Sequence, residues 1–172
     1  MPSRWIEINA NLGKCRKIAK ILKQKYPKLV MGLNDNTIVV YRKHSRFCYP
    51  NGREMSKDAV AHEHPNFSPR YPLLSGVICI KQNFLFFPWS NSSYRVESIP
   101  KYHSVVIFGN WSLIDIMCHE IAHFLGSSNR SIHGKKWYNI FLKFLRQMAL
   151  EVISGNYYTW YTNHYKVINW FW

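Results

Sequence analysis

The residues with the clearest capacity for chemistry lie between Cys118 and Gly126, in a stretch that contains the pattern His-Glu-x-x-His. His119 and His123 are four residues apart, and an α-helix turns once in about 3.6 residues, so both imidazoles project from one face. Glu120 then lies beside a metal ion that the two histidines bind. The pattern therefore predicts zinc held by His119 and His123, with Glu120 taking a proton from a metal-bound water.

This pattern lies inside an apolar run with helical periodicity. Ser112 and Asp115 form a Ser-x-x-Asp arrangement that can cap a first helical turn, and Gly126 provides a left-handed stop. Between them, apolar residues recur at steps of three and four: Ile114, Met117, Ile121 and Phe124 or Leu125. We therefore expect a buried helix from about Ser112 to Leu125, in which the polar side chains of the motif would be costly to bury without a purpose.

A simpler interpretation is a core helix whose histidines bond to backbone groups and whose glutamate faces solvent. The pattern alone does not exclude that interpretation, because a short motif is a hypothesis. A buried Glu120 between two buried histidines, with no cation to compensate it, is harder to explain. A bound metal ion accounts for all three side chains at once.

A catalytic zinc site needs a third protein ligand and one open position for water. The metzincin pattern would place a glycine three residues after His123, which Gly126 satisfies, and a histidine six residues after it. That second position is Asn129, and no Met-turn sequence follows. The next histidine in the chain is His133.

The order of these motifs resembles the SprT-like metallopeptidases and the small metallohydrolases of bacteria and phages. His-Glu-x-x-His is followed by a polar loop and then by His133-Gly134-Lys135-Lys136-Trp137, and the resemblance covers roughly Val105 to Ser154. It implies a zincin-like, minimal gluzincin domain in which His133 is the third zinc ligand. The alternative for His133 is an ordinary loop or helix-cap residue. A cysteine-rich zinc ribbon is not evident, so a role in DNA repair does not follow.

The bulk properties of the chain limit the classes of protein it can be. Its 172 residues fit one domain, and no apolar run approaches the ~20 residues of a membrane helix. Four separated cysteines without a Cys-x-x-Cys pair, and no signal-peptide hydrophobic region, predict a cytoplasmic protein with reduced thiols and no membrane partner.

The net charge of +14 favours polyanions as partners, because 23 Lys and Arg oppose only 9 Asp and Glu. Eight of these basic residues fall within the first 28 positions. From Asn11 to Tyr26 they alternate with an apolar stripe, which predicts an amphipathic helix with a cationic exterior. That face is either simply solvated or contacts nucleic-acid phosphates.

The order of predicted elements indicates an α+β fold: an amino-terminal helix, a small mostly antiparallel sheet, the active-site helix and a following carboxyl-terminal helix. The remaining predicted segments are strands at Thr37 to Tyr41, Val77 to Phe87 and Ser104 to Phe108, and a helix from about Lys135 to Ile153. In the families resembled, a strand such as Ser104 to Phe108 borders the cleft, where its edge could pair with a peptide substrate.

One further motif, His62-Glu63-His64, falls in a long polar excursion from His44 to Pro72. On a strand, its two histidines would share one side, as a second metal site requires. Histidines beside a proline in a polar loop more often serve solvent or local turns, and no third ligand has suitable spacing.

The sequence therefore predicts a Zn²⁺-dependent metallopeptidase that acts on a protein or peptide substrate, with Glu120 as its catalytic base. Two alternatives remain: a zinc-stabilised nucleic-acid-binding protein without protease activity, and another metal-dependent hydrolase such as a nuclease. An oxyanion donor should also exist. The candidates near the motifs in sequence are Tyr138, Tyr102, His103 and Arg130, and the sequence does not choose among them.

Overall fold

The computed structural model describes residues 4–28, 38–41, 60–64, 77–86, 94–109, 112–126, 133–154 and 165–169. Its elements in chain order are α1 (Arg4–Lys25), β1 (Ile38–Tyr41), β2 (Ala61–His64), β3 (Val77–Lys81), α2 (Gln82–Phe86), β4 (Tyr94–Ile99), a 3₁₀ turn (Pro100–Tyr102), β5 (Ser104–Gly109), α3 (Leu113–Gly126), α4 (Lys135–Ile153) and β6 (Tyr165–Asn169). The expected α+β class is confirmed. None of these helices is long and apolar enough to span a membrane.

The strands form two three-stranded sheets in place of the one small sheet that the sequence predicts. The first has the order β1-β3-β2, with β1 parallel and β2 antiparallel to β3. The second has the order β4-β5-β6 and is antiparallel throughout. Three of the four pairings are antiparallel, as expected, but the division into two sheets depends on pairing between distant segments, which local pattern does not encode.

The position of β5 overturns one expectation about substrate binding. Ser104–Gly109 is the central strand of its sheet, since β4 pairs with one edge and β6 with the other. Its backbone groups are therefore already engaged, and β5 has no open edge for a peptide. Within the described carboxyl-terminal tail, the segment that takes one of those edges is Tyr165–Asn169.

The amino-terminal helix begins earlier than the sequence predicts, at Arg4 rather than Asn11. Asn11 is buried, and its side-chain amide donates a hydrogen bond of 2.6 Å to the carbonyl oxygen of Leu85 at the end of α2. A polar residue that looked like a helix boundary is thus a contact between two helices. Its buried neighbours Ile8, Cys15 and Leu22 continue the apolar stripe on both sides.

The segment after β3 is a helix, so the prediction of strand from Val77 to Phe87 is wrong beyond Lys81. Phe84 and Leu85 are buried in α2, which packs against α1, while Phe86 is exposed beneath the guanidinium of Arg4 at 5.1 Å. Aromatic residues favour strands only when a pleated surface receives them. Here the first turns of α1 provide a different surface.

The two helices that matter most for function agree closely with their predicted bounds. In α3, Leu113, Ile114, Met117 and Ile121 are almost inaccessible to solvent, and the amide of Asp115 donates a 3.2 Å hydrogen bond to the Ser112 hydroxyl, which confirms the predicted cap. In α4, the buried stripe follows helical spacing: Trp137, Phe141, Phe144, Leu145, Met148 and Val152. The two helices pack against each other and share one core.

Loss of the cap should destabilise the protein. Replacing Ser112 by Ala removes the acceptor for the Asp115 amide, and such caps contribute about 1 kcal/mol. We expect a fall of that size in the free energy of unfolding, measured by urea denaturation. The matched control is Ser98→Ala, at an exposed serine on β4. Equal unfolding midpoints for the two variants would contradict the cap.

Candidate metal centre

The first two candidate ligands lie on adjacent turns of α3. His119 and His123 are separated by one helical turn, and their Nε2 atoms are 2.9 Å apart. His123 is 8% exposed, while His119 is half-buried. The structure therefore places these two nitrogens as the spacing of the motif predicts, at the border between the core and solvent.

His133 approaches both of them from the beginning of the next helix. It precedes Gly134, the N-cap of α4, and its Nε2 atom lies 3.2 Å from that of His119 and 3.1 Å from that of His123. Across the part of the chain that the structure describes, these three residues form the only group of His, Cys, Asp or Glu suited to a metal ion. The expected third ligand is therefore confirmed as a neighbour of the other two.

The separations fit a shared metal ion better than hydrogen bonding. Zn–N bonds of about 2.0–2.1 Å at tetrahedral angles hold nitrogen atoms about 3.3 Å apart, close to the observed 2.9–3.2 Å. Each imidazole nitrogen carries either one proton or one lone pair, so a hydrogen bond between two of these atoms leaves the third poorly satisfied. A cation accepts all three lone pairs, although the geometry does not identify the metal.

Trp137 fixes the ligands from below, a role that the sequence did not reveal. Its indole N–H donates a 3.2 Å hydrogen bond to the backbone carbonyl of His119, and its ring stacks on His123 at 5.3 Å. On its other side the indole stacks on Phe141, at 5.0 Å. The resemblance included an aromatic residue here, but the helical stripe assigned Trp137 only to the core.

Glu120 is buried beside the three histidines without belonging to their cluster. It is 5% exposed, and among the described residues the group of converging ligand atoms does not include its carboxylate. Burial raises the pKa of Glu120 to about 8, and the nearby Glu63 carboxylate raises it further in the same direction. A carboxyl group that holds a proton near neutral pH is suited to act as a base.

Glu63 is the residue in this region that sequence reasoning missed. It lies on β2, which packs against α3, and burial raises its pKa to about 7. Its Oε2 atom is buried and has no hydrogen-bond partner among the described residues. The neighbouring histidines suggested a second metal site instead. Within the described part, neither His62 nor Glu63 joins a metal-binding group, and the side chain of His64 lies outside it.

The oxyanion donor stays unassigned. Tyr102 and Tyr138 are 45% and 47% exposed, and His103 is exposed in a left-handed conformation at the end of the 3₁₀ turn. Arg130 lies outside the described residues. These observations do not choose among the four candidates.

Comparison with family models, curated proteins and solved structures finds no match for this chain. The resemblance to SprT-like metallopeptidases therefore stays a prediction that rests on the two histidine motifs. The geometry of the three histidines is independent support for a metal centre, whichever family the chain belongs to.

Removal of one ligand should weaken metal binding. We expect His133→Ala to lower the affinity of chelator-treated protein for zinc by at least about tenfold, since each such step corresponds to about 1.4 kcal/mol of binding free energy. Isothermal titration calorimetry measures the change. The control is His103→Asn, which tolerates the left-handed backbone at φ 48° outside the cluster. Unchanged affinity in His133→Ala would remove this residue from the site.

The buried carboxyls should make the metal-free protein less stable as pH rises. The folded pKa values of Glu120 and Glu63, about 8 and about 7, exceed the ordinary 4.5, so the folded state binds more protons in this window and the free energy of unfolding falls. With chelator present, Glu120→Gln should therefore gain stability relative to the natural protein between about pH 4.5 and about pH 8, then level off.

Urea denaturation over this pH range checks the expectation. Glu63→Gln should show the same trend and level off near pH 7. A stability difference that does not change with pH would show that these carboxyls ionise in the folded protein as they do in the unfolded chain.

Proposed function

We propose that this protein is a zinc-dependent metallopeptidase that hydrolyses peptide bonds, with Glu120 as its general base. The observation that carries the proposal is the convergence of three imidazole Nε2 atoms, 2.9–3.2 Å apart, beside a buried glutamate. Three nitrogen ligands without a fourth protein ligand are typical of catalytic zinc sites. Nitrogen ligands with this geometry also favour zinc over the hard cations that prefer oxygen.

Exposure at the centre supports catalysis over a purely structural role. Structural zinc sites are closed by four protein ligands. Here, in the described region, the cluster contains three, and His133 is exposed while His123 is buried. The site is thus accessible from one side, where water and a substrate can approach.

The residues of the chain divide the chemistry between them. A zinc ion, when bound, lowers the pKa of water and polarises a substrate carbonyl. The Glu120 carboxylate accepts the proton that water loses as it attacks the carbonyl carbon, and then delivers that proton to the leaving nitrogen. Burial among apolar residues raises the pKa of Glu120, which favours its holding the proton between these two steps.

The substrate strand that we expect to pair with the protein is β2. Among the described strands, β2 is an edge of its sheet and also packs against α3, and it carries Glu63. An extended peptide can add to such an edge through main-chain hydrogen bonds. β5, which the sequence suggested for this role, is paired on both edges.

Replacement of the base should separate metal binding from catalysis. Glu120→Gln keeps the shape of the side chain and the three histidines but cannot accept the proton, so we expect retained zinc and a fall in kcat of about 100-fold or more. The measurement is cleavage of a fluorescently labelled unfolded protein, with and without chelator. The control is Glu7→Gln in the first turn of α1, where activity should be unchanged.

The same preparations test the alternatives. Cleavage by Glu120→Gln at the rate of the natural protein would refute the assigned base. Chelator-sensitive cleavage of RNA or DNA, in the absence of any peptide hydrolysis, would replace the proposal with a nuclease.

A further inference from the structure

A second candidate site lies on the other helices, in an open cleft of about 670 Å³ where α1 meets α4. It is lined by Arg16, Lys17, Lys20, Ile21, Gln24, Lys25 and Glu151. Four of these seven residues are cationic, and all four belong to one stretch of α1. None of the seven is part of the metal centre, so the cleft is a separate feature of the molecule.

The charge of the cleft is only partly neutralised by the protein itself. Lys25 lies 3.8 Å from the buried carboxylate of Glu151, which also accepts a 2.8 Å hydrogen bond from Gln147. Arg16 and Lys20 are exposed, and among the described residues neither forms an ion pair. They are four residues apart and therefore project from the same side of α1. Their charges are available to an external anion.

The surroundings of the cleft extend its positive field. The first 28 residues contain eight Lys and Arg against the single acid Glu7. On α4, the Lys143 ammonium lies over the Tyr26 ring at 5.4 Å, and Arg146 is exposed. Cations from two helices therefore face the same side, and an anion that approaches this side meets a concentrated positive potential.

We propose that this cleft binds the phosphate backbone of nucleic acid without reading its base sequence. The basic residues extend from Arg16 to Lys25, nine residues or about 14 Å of helix, so one phosphate cannot contact both ends whereas a chain of phosphates can. No aromatic side chain lines the cleft, which leaves no platform for base stacking. This binding is additional to the proposed peptidase activity and does not depend on it.

A membrane surface fits the cleft less well. Interfacial helices insert an apolar face beside their cations, and the cleft contains one aliphatic side chain, that of Ile21. The exposed apolar residues of α1 are Trp5 and Ile6 in its first turn. They precede Arg16 by at least ten residues, which is about 15 Å along the helix.

The test compares two variants that have the same net charge. Arg16→Gln combined with Lys20→Gln removes two cations from the cleft, and Lys101→Gln combined with Lys136→Gln removes two exposed lysines from elsewhere. Fluorescence anisotropy measures binding of each protein to a labelled 20-nucleotide single strand and to its duplex, at several salt concentrations between about 50 and about 200 mM. Circular dichroism and urea denaturation establish that both variants fold.

The natural protein should bind both probes, with an affinity that falls as salt rises. In the cleft variant, the slope of log K against log salt should decrease by about 1.8 for the duplex and about 1.4 for the single strand, since each lost phosphate contact contributes about 0.9 or 0.7. The other variant should keep most of the slope. If the cleft variant proves unstable, Lys20→Gln alone should remove about half of the effect.

Three results would overturn the proposal. The first is no salt-dependent binding of either probe. The second is an equal loss of slope in both variants, because net charge rather than the cleft would then explain binding. The third is binding to phosphatidylserine vesicles that the cleft variant loses while its binding to the oligonucleotides is unchanged, since the cleft would then serve a membrane surface.

Discussion

Three imidazole nitrogens can share one cation only if two separate helices hold them within a few tenths of an ångström, and the packing of α3 against α4 provides that constraint. Two ligands come from adjacent turns of α3, and the third precedes the first turn of α4. The indole of Trp137 ties the helices together, because it belongs to α4 and donates to the carbonyl of His119 on α3. The apolar stripes beneath them form one continuous core. The metal centre is thus built on rigid elements, as precise coordination requires.

The carboxyl groups beside this centre explain why a cation belongs there. Glu120 is 5% exposed and Glu63 approaches it from β2, so that two acids occupy a region from which water is largely excluded. In such surroundings ionisation is unfavourable, and the pKa values of both groups lie well above 4.5. A divalent cation nearby would favour the ionised forms. Perturbed carboxyls of this kind cluster at functional sites, and here they adjoin the only group of metal ligands in the described chain.

The helices could be predicted from the sequence wherever one continuous stripe and a local signal defined them. The bounds of α4 were predicted correctly from its apolar spacing, and the Ser112 cap located the start of α3. Predictions failed where a distant partner decides the structure. Asn11 continues α1 because Leu85 accepts its hydrogen bond, and the aromatic run after β3 is helical because α1 receives it. Glu63 could not be assigned to the site because the packing of β2 on α3 leaves no trace in local spacing.

The account depends on one metal ion at the three histidines, and X-ray absorption spectroscopy combined with elemental analysis tests this most directly. Protein purified without added metal should contain about one zinc per chain, and the spectrum should show nitrogen ligands at about 2.0–2.1 Å. His119→Ala prepared in parallel should lose that metal. A natural protein that contains no transition metal and takes up none when zinc is supplied would contradict the account, as would an equal zinc content in His119→Ala.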